Sequence, residues 1–321
     1  MLNNKSNYLK RYITGGVIMK NTIIRATAAN NAVRAFIADT TNMVEKARKL
    51  HQASPVAVAA LGRTMTATSM MGLMLKSEKH KLTVKINGGG DLGPVVVVGN
   101  HHGNVKGYVG NPQVISEYIR PGKLDVGKAV GIKGDITVIK DLGLKDPYIG
   151  TSPIVSGEIA EDFANYFLHS EQQPSAVALG VLIERDYRVK AAGGFIIQVL
   201  PNIEEEVLIK LEEKIASLEP ITTLMDKGMK SEEILNYVLG DMEPRILDRY
   251  DVDFVCDCNK SRFERALISI GKKDLYEIME EDEGAELVCH FCNGKHYFDK
   301  EELKKLIDEI DNNNKNSRNK E

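Results

Sequence analysis

Leu82–Val109 reads LTVKINGGGDLGPVVVVGNHHGNVKGYV, and this stretch decides the kind of fold. Gly88-Gly89-Gly90-Asp91-Leu92-Gly93 fits the G-x-G-x-x-G spacing of a dinucleotide-binding turn, which requires a strand before it and a helix N-terminus after it. Here Pro94-Val95-Val96-Val97-Val98 follows, and a run of β-branched valines continues as a strand. The motif therefore reads as a hairpin loop. Leu82–Asn87, Gly93–Gly99 and Val105–Val109 are short β-rich runs separated by Gly, Asn and Asp clusters, the pattern of an antiparallel meander.

Ile23–Asp39 is rich in Ile, Val, Ala and Phe and suggests a hairpin around Asn30-Asn31. Thr40 and Thr41 are candidate N-caps for a helix through Leu50, and Ser54 with Pro55 at the first helical position opens a long Ala/Met helix. Pro55–Leu75 has the length of a membrane span, but Arg63 stands near its middle among Gly62, Thr64, Thr66, Thr68 and Ser69, so a helix buried in a soluble core is the better reading. Met65, Met70, Met71 and Met74 are then core packing rather than a promiscuous binding surface. Further strands are expected at Asp135–Lys140, Ser175–Arg185 and Val189–Leu200, with a helix near Ser156–His169. The order is α+β: an N-terminal antiparallel-sheet core with packed helices over residues 19–201.

After Pro201 the period changes. Val207, Leu208, Leu211, Ile215 and Leu218 recur at helical spacing, and Ile234, Leu235, Val238 and Leu239 do so after a Ser231 cap. Residues 202–252 read as a helical linker, broken at Pro220 and Gly228, that leads to a small C-terminal unit at 253–310. Residues 311–321, full of Asn and Lys, are expected to be disordered. The first 18 residues lack the apolar stretch of a signal peptide and read as a disordered leader before Met19.

The chain of 321 residues is 43% hydrophobic and 27% charged with a net charge of −3, which provides no overall basic field for nucleic acid. No G-x-S-x-G, H-E-x-x-H or P-loop lysine motif is present, so nothing announces an enzyme. His101-His102 lie in a Gly/Asn turn with no carboxylate or thiol at ligand spacing, and read as exposed loop residues.

All four cysteines lie near the C-terminus, as Cys256, Cys258, Cys289 and Cys292, and the first 255 residues have none. Two tight pairs in a chain of this size point to metal binding or redox chemistry in a reducing compartment, which favours the cytoplasm. Cys256-Asp257-Cys258 and Cys289-His290-Phe291-Cys292 are separated by 30 residues, and four thiolates close a tetrahedral shell around one Zn2+. The apolar residues of this unit (Phe254, Phe263, Leu267, Ile270, Leu275, Ile278, Val288 and Phe298) offer little burial, so zinc must contribute to folding. A purely structural clip and a regulatory site both fit this spacing. C-x-C in place of C-x-x-C weighs towards regulation, because a disulfide within so small a ring is strained and easily reduced. A nucleic-acid-binding zinc ribbon is disfavoured: residues 253–321 hold 12 Lys and Arg against 17 Asp and Glu.

The C-x-C, 30-residue, C-x-x-C order resembles that of the redox-regulated heat-shock chaperone family, the 33 kDa chaperonins. Ile24-Arg25-Ala26-Thr27-Ala28-Ala29-Asn30, Ser54-Pro55-Val56-Ala57, Gly107-Tyr108-Val109-Gly110-Asn111-Pro112, Ser156-Gly157-Glu158-Ile159-Ala160 and Gln173-Pro174-Ser175-Ala176-Val177-Ala178-Leu179-Gly180-Val181 are similar to that family's segments, with coverage from about Met19 to Ile310. The resemblance implies zinc ligation by Cys256, Cys258, Cys289 and Cys292, and disulfides joining Cys256 to Cys258 and Cys289 to Cys292. It further implies an ATP-independent holdase for unfolding client proteins, inactive when reduced and zinc-bound. Oxidation, zinc release and linker unfolding would activate it, with homodimerisation. No nucleic acid or membrane partner is expected.

Overall fold

In the computed structural model, the described residues are 21–318 apart from 117, 121, 122, 202, 282 and 283, so the leader expected at 1–18 lies outside them. β1 (Thr22–Ala28) and β2 (Val33–Asp39) form the expected hairpin, with Ala29, Asn30 and Asn31 turning at φ of 49°, 51° and 70°. Their uneven alternation has a physical cause. Ile23, Phe36 and Ala38 face one core while Ile24, Ala26, Ala35 and Ile37 face another, so neither side of the hairpin is polar. Thr40 holds the N-cap position of α1 (Thr41–His51), but its hydroxyl turns to Thr66 Oγ1 at 2.7 Å, and the Asp39 carboxylate accepts the Thr41 N–H instead.

α2 (Pro55–Gly72) starts where expected, with Ser54 Oγ accepting from the Ala57 N–H. It is buried over almost its whole circumference, Met65, Met70 and Met71 included. A helix so enclosed must satisfy its own polar groups. The hydroxyls of Thr64, Thr66 and Thr68 donate to the carbonyls of Ala60, Gly62 and Thr64, and the Arg63 guanidinium reaches Glu158 Oε2 at 2.8 Å. Among the described residues, no helix is long and apolar enough to cross a membrane.

The meander follows as β3 (Lys81–Asn87), β4 (Val95–Asn100) and β5 (Val105–Val109). Next come the short pair β6 (Tyr118–Arg120) and β7 (Lys123–Leu124), α3 (Val126–Val130), β8 (Asp135–Asp141) and β9 (Tyr148–Pro153). The resulting sheet has the order β5-β4-β3-β8-β9, every pair antiparallel. The glycine loop is a β3–β4 connection, as the valines required. Its glycines serve backbone contact: the N–H groups of Gly90 and Leu92 donate to the carbonyls of Val130 and Ala129, and a Cβ on Gly88 would lie 2.0 Å from the Gly131 oxygen.

α4 (Ala160–His169) is shorter than the expected 156–169 helix. The Asp162 carboxylate accepts the N–H groups of Val155, Ser156, Gly157 and Ile159, which folds those residues into a cap rather than a helical turn. β10 (Ser175–Ile183) and β11 (Val189–Val199) close the N-terminal body.

In the linker, α5 (Glu205–Ala216), α6 (Ile221–Asp226) and α7 (Ser231–Leu239) are interrupted at Pro220 and Gly228 as read from sequence. The reading of the linker as helical throughout needs correction. β12 (Arg245–Asp251) is a strand that pairs antiparallel with β1, giving a second sheet of order β10-β11-β2-β1-β12. It is an edge strand without a buried residue, so no apolar alternation announced it. α2 packs between the sheets, against β3, β4 and β5 on one side and β10 and β11 on the other. The outer face of the second sheet is covered by the linker, where Leu211, Ile221, Leu224, Ile234, Leu235, Val238 and Leu239 meet Ile24, Ala35, Ile37, Phe195 and Ile197.

The C-terminal unit comprises α8 (Lys260–Ile270), α9 (Lys272–Glu281), β13 (Gly284–Val288), β14 (Lys295–Asp299) and α10 (Lys300–Arg318). Helix α10 continues through Arg318, into the segment read from its Asn and Lys content as disordered. The core of the unit is Leu267, Leu275, Phe298, Leu303, Leu306 and Ile307, while Phe254 belongs to the body and Ile270 and Val288 are exposed.

Candidate metal centre

The four thiols converge although they come from two loops. Cys256 and Cys258 lie in the extended segment after β12, and Cys289 and Cys292 in the turn between β13 and β14. That turn is a backbone knuckle: the Asn293 and Cys292 N–H groups donate to the Cys289 carbonyl at 2.7 and 3.3 Å, and the Cys289 N–H donates to the Gly294 carbonyl at 2.9 Å. All four Sγ atoms lie within 4.8 Å of one another. Cys256 and Cys289 Sγ are 3.7 Å apart, and Cys258 and Cys292 Sγ 3.4 Å.

These separations distinguish two chemical states. Four sulfurs at the zinc–sulfur distance of ~2.3 Å sit about 3.8 Å from one another on a tetrahedron, whereas a disulfide brings two to ~2.05 Å. All four cysteines are free, and the cluster fits the edges of a metal shell. Both short edges run between the sequence pairs, so the geometry of the reduced state does not by itself select which thiols would join on oxidation.

The electrostatics are uneven. Burial pushes the Cys256 and Cys258 thiols above the usual range. Burial acts likewise on Cys289, but there the N–H groups of Phe291 and Cys292 and the neighbouring thiols outweigh it and pull the group below its ordinary value.

Sequence reading missed how this cluster is seated. The chain from Val252 to Val255 runs along β5: the Val105 N–H donates to the Asp253 carbonyl at 3.1 Å, and the Val255 N–H donates to the Val105 carbonyl at 2.8 Å. Lys106 forms an ion pair with Asp257, the residue between the first two cysteines, and its ammonium lies 4.9 Å from the centre of the Phe291 ring. Tyr108 stacks edge-on with Phe291 at 5.3 Å, and Asn293 Nδ2 donates to the Leu50 carbonyl at 2.7 Å. These partners are too far apart in sequence for any local pattern to link them. His290 and His296 stand apart from the thiol cluster, His290 against Tyr108 and His296 against Phe263.

A second group able to hold a metal is present. The turn carrying His101 and His102 was expected to lack a carboxylate, but the fold brings Glu78 to it.

The family model described as Hsp33 protein matches residues 21–299. The 33 kDa chaperonin of Alkaliphilus metalliredigens is 68% identical over 292 residues, covering 91% of this chain and 100% of that protein. The 33 kDa chaperonin of Clostridioides difficile is 54% identical over 292 residues with the same coverage. The crystal structure of the 33 kDa chaperonin, a heat shock protein 33 homolog, from Thermotoga maritima superposes with a TM-score of 0.84 at 35% identity, covering 90% of this chain and 98% of that one. The chain belongs to the Hsp33 family, a family of chaperones and not of enzymes.

Proposed function

We propose that this chain is a redox-regulated, ATP-independent holdase, a cytoplasmic protein that binds unfolding clients under oxidative stress. The observation that carries the reading is the seating of the thiol cluster on β5, joined through β12 to a linker whose apolar residues cover the outer face of the second sheet.

Cys256, Cys258, Cys289 and Cys292 would hold one Zn2+ in the reduced protein. Bound there, the ion keeps the sulfurs as thiolates and cross-links the two halves of the C-terminal unit, a contribution of ~10–16 kcal/mol in small zinc domains. Among the described residues the unit's fully buried cluster is six residues, so its fold depends on that link.

Oxidation by a peroxide is balanced when two thiolates of a pair give up two electrons and join as a disulfide, while the O–O bond breaks and the two oxygens take up four protons in all with those electrons, two already on the peroxide, to leave as water. The pairs proposed are Cys256 with Cys258 and Cys289 with Cys292. Neither disulfide spans the gap between the loops, so the cross-link is lost and the unit loosens. Lys106 and Asn293 then lose their seated partners, and the linker bearing Leu211, Leu224 and Leu235 is freed at its C-terminal end. Its apolar faces, and the sheet beneath, become available to clients and to a second copy of the chain.

Light scattering of a thermally unfolding client tests this. Suppression of aggregation by the peroxide-treated chain, with metal released and four thiols consumed, is the expected result. Equal suppression by the reduced, metal-loaded chain would show the cysteines to be a structural clip.

A further inference from the structure

We propose that Glu78, His101 and His102 form a second metal site, independent of the cysteines, for a divalent ion of the class that imidazole favours, such as Ni2+ or Zn2+.

The two histidines are adjacent in the β4–β5 turn, which is fixed by its own backbone. Asn100 Oδ1 accepts the N–H groups of His102 and Asn104 at 3.0 and 3.2 Å, and the Asn100 carbonyl accepts that of Gly103 at 3.0 Å. Gly103 sits at φ 76°, and a Cβ there would meet Val252 at 2.8 Å, so the turn is pinned against the body. This geometry places both imidazoles on one side, with ring centroids 3.6 Å apart. The segment after α2 then brings Glu78 Oε1 to 3.9 Å from His101 Nε2, and all three donor atoms lie within 4.8 Å of one another.

Around an ion bound at ~2.0–2.2 Å, neighbouring donors stand about 3.3 Å apart. The cluster must contract by roughly 0.5–1.5 Å to reach that spacing. The means to do so are present: Glu78 is 83% exposed, and His102 is exposed beside it. His101 Nδ1 is buried and has no hydrogen-bond partner among the described residues, so no bond to that atom accounts for the ring being held here.

Both histidines also line a cavity of about 410 Å³, which leaves room for waters to complete the coordination of an ion held by three protein donors. The nearby cations do not oppose binding outright. Arg25 is paired with Asp248 at 2.5 Å and Arg249 with Glu232 at 3.1 Å. The cavity's far wall is β12 at Arg249, Tyr250 and Asp251, so an ion here would sit between the body and the end of the linker.

The test is calorimetric titration of Ni2+ into the untagged, reduced full-length chain already loaded with one Zn2+, while released zinc is measured. One further Ni2+ per chain, bound without zinc release, is expected. His102→Ala, at an exposed position, should weaken that binding at least as much as loss of an outer-shell partner does, about 10–100-fold, and Glu78→Gln should weaken it severalfold. Zinc content and unfolding temperature should stay unchanged in both variants. Absence of a further equivalent, uptake matched by zinc release, or uptake that survives both substitutions would overturn the proposal.

Discussion

Asn293, in the thiol-bearing turn, donates from Nδ2 to the backbone carbonyl of Leu50 in α1, a 2.7 Å bond between residues 243 positions apart. With the Lys106–Asp257 ion pair it seats the cysteine cluster on the body. Any loosening of the cluster is therefore felt at β5 and α1, and any loosening of the seat is felt by the four thiols.

Asn293→Gly separates these effects. Asn293 has φ 54°, which glycine adopts without strain, so the variant loses the amide and little else. The expected cost is about 1 kcal/mol, the net worth of one hydrogen bond. In a chelator competition the reduced variant should release its metal severalfold faster than wild type. An unchanged release rate would show that the Leu50 contact plays no part in holding the cluster.

The linker's grip on the sheet is tested by Leu235→Ala. Leu235 is 1% exposed in the core shared with Ile24 and Ile37, and truncating such a leucine costs about 2–5 kcal/mol. Undocking should then be reached without oxidation, so the reduced variant is expected to suppress client aggregation in part. A reduced variant as inactive as wild type would mean that the covered face is not the one clients use.

Two glycine substitutions check the packing of the body and of the linker. A Cβ on Gly62 of α2 would lie 2.6 Å from Val44 and 2.8 Å from Val181, so Gly62→Ala should destabilise by about 1–3 kcal/mol in urea unfolding. Gly240, after α7, has a helical φ of −54° and nothing within 4 Å of its missing Cβ. There Gly→Ala should be neutral or stabilise by about 0.4–1 kcal/mol.

Glu45 makes the stability of the α1–β11 contact depend on pH. Burial raises its carboxyl pKa, but Arg48 at 2.8 Å, the Val189 N–H at 3.0 Å and Lys49 outweigh that and hold it below the usual carboxylate range. Since the folded pKa lies below the unfolded value of about 4.3, the stabilisation is fully present above that value and is lost as pH falls through the folded one. Wild type should therefore exceed Glu45→Gln in stability at pH 7, and the gap should close on acidification below about pH 4. A gap constant with pH would contradict this origin.

What was legible in the sequence follows from what each element touches. Leu82, Val84 and Ile86 alternate with polar residues because β3 has one buried face, and the meander could be read directly. The convergence of the four thiols was equally legible, since two tight cysteine pairs at that spacing suit a single tetrahedral shell. β12 was not, because a charged edge strand is held by β1 and carries no periodic signal of its own. Lys106, Asn293 and Glu78 were also out of reach: each acquires its role from a partner that only the folded chain brings near.

Hydrogen exchange measured on the reduced, metal-loaded chain and on the peroxide-oxidised chain tests whether oxidation of the cysteines frees the linker from the outer face of the sheet. Amides of α5, α6 and α7 should lose most of their protection on oxidation, while those of β3, β4 and β8 keep theirs. Linker amides equally protected in both states, in a preparation whose oxidised form holds clients, would contradict it.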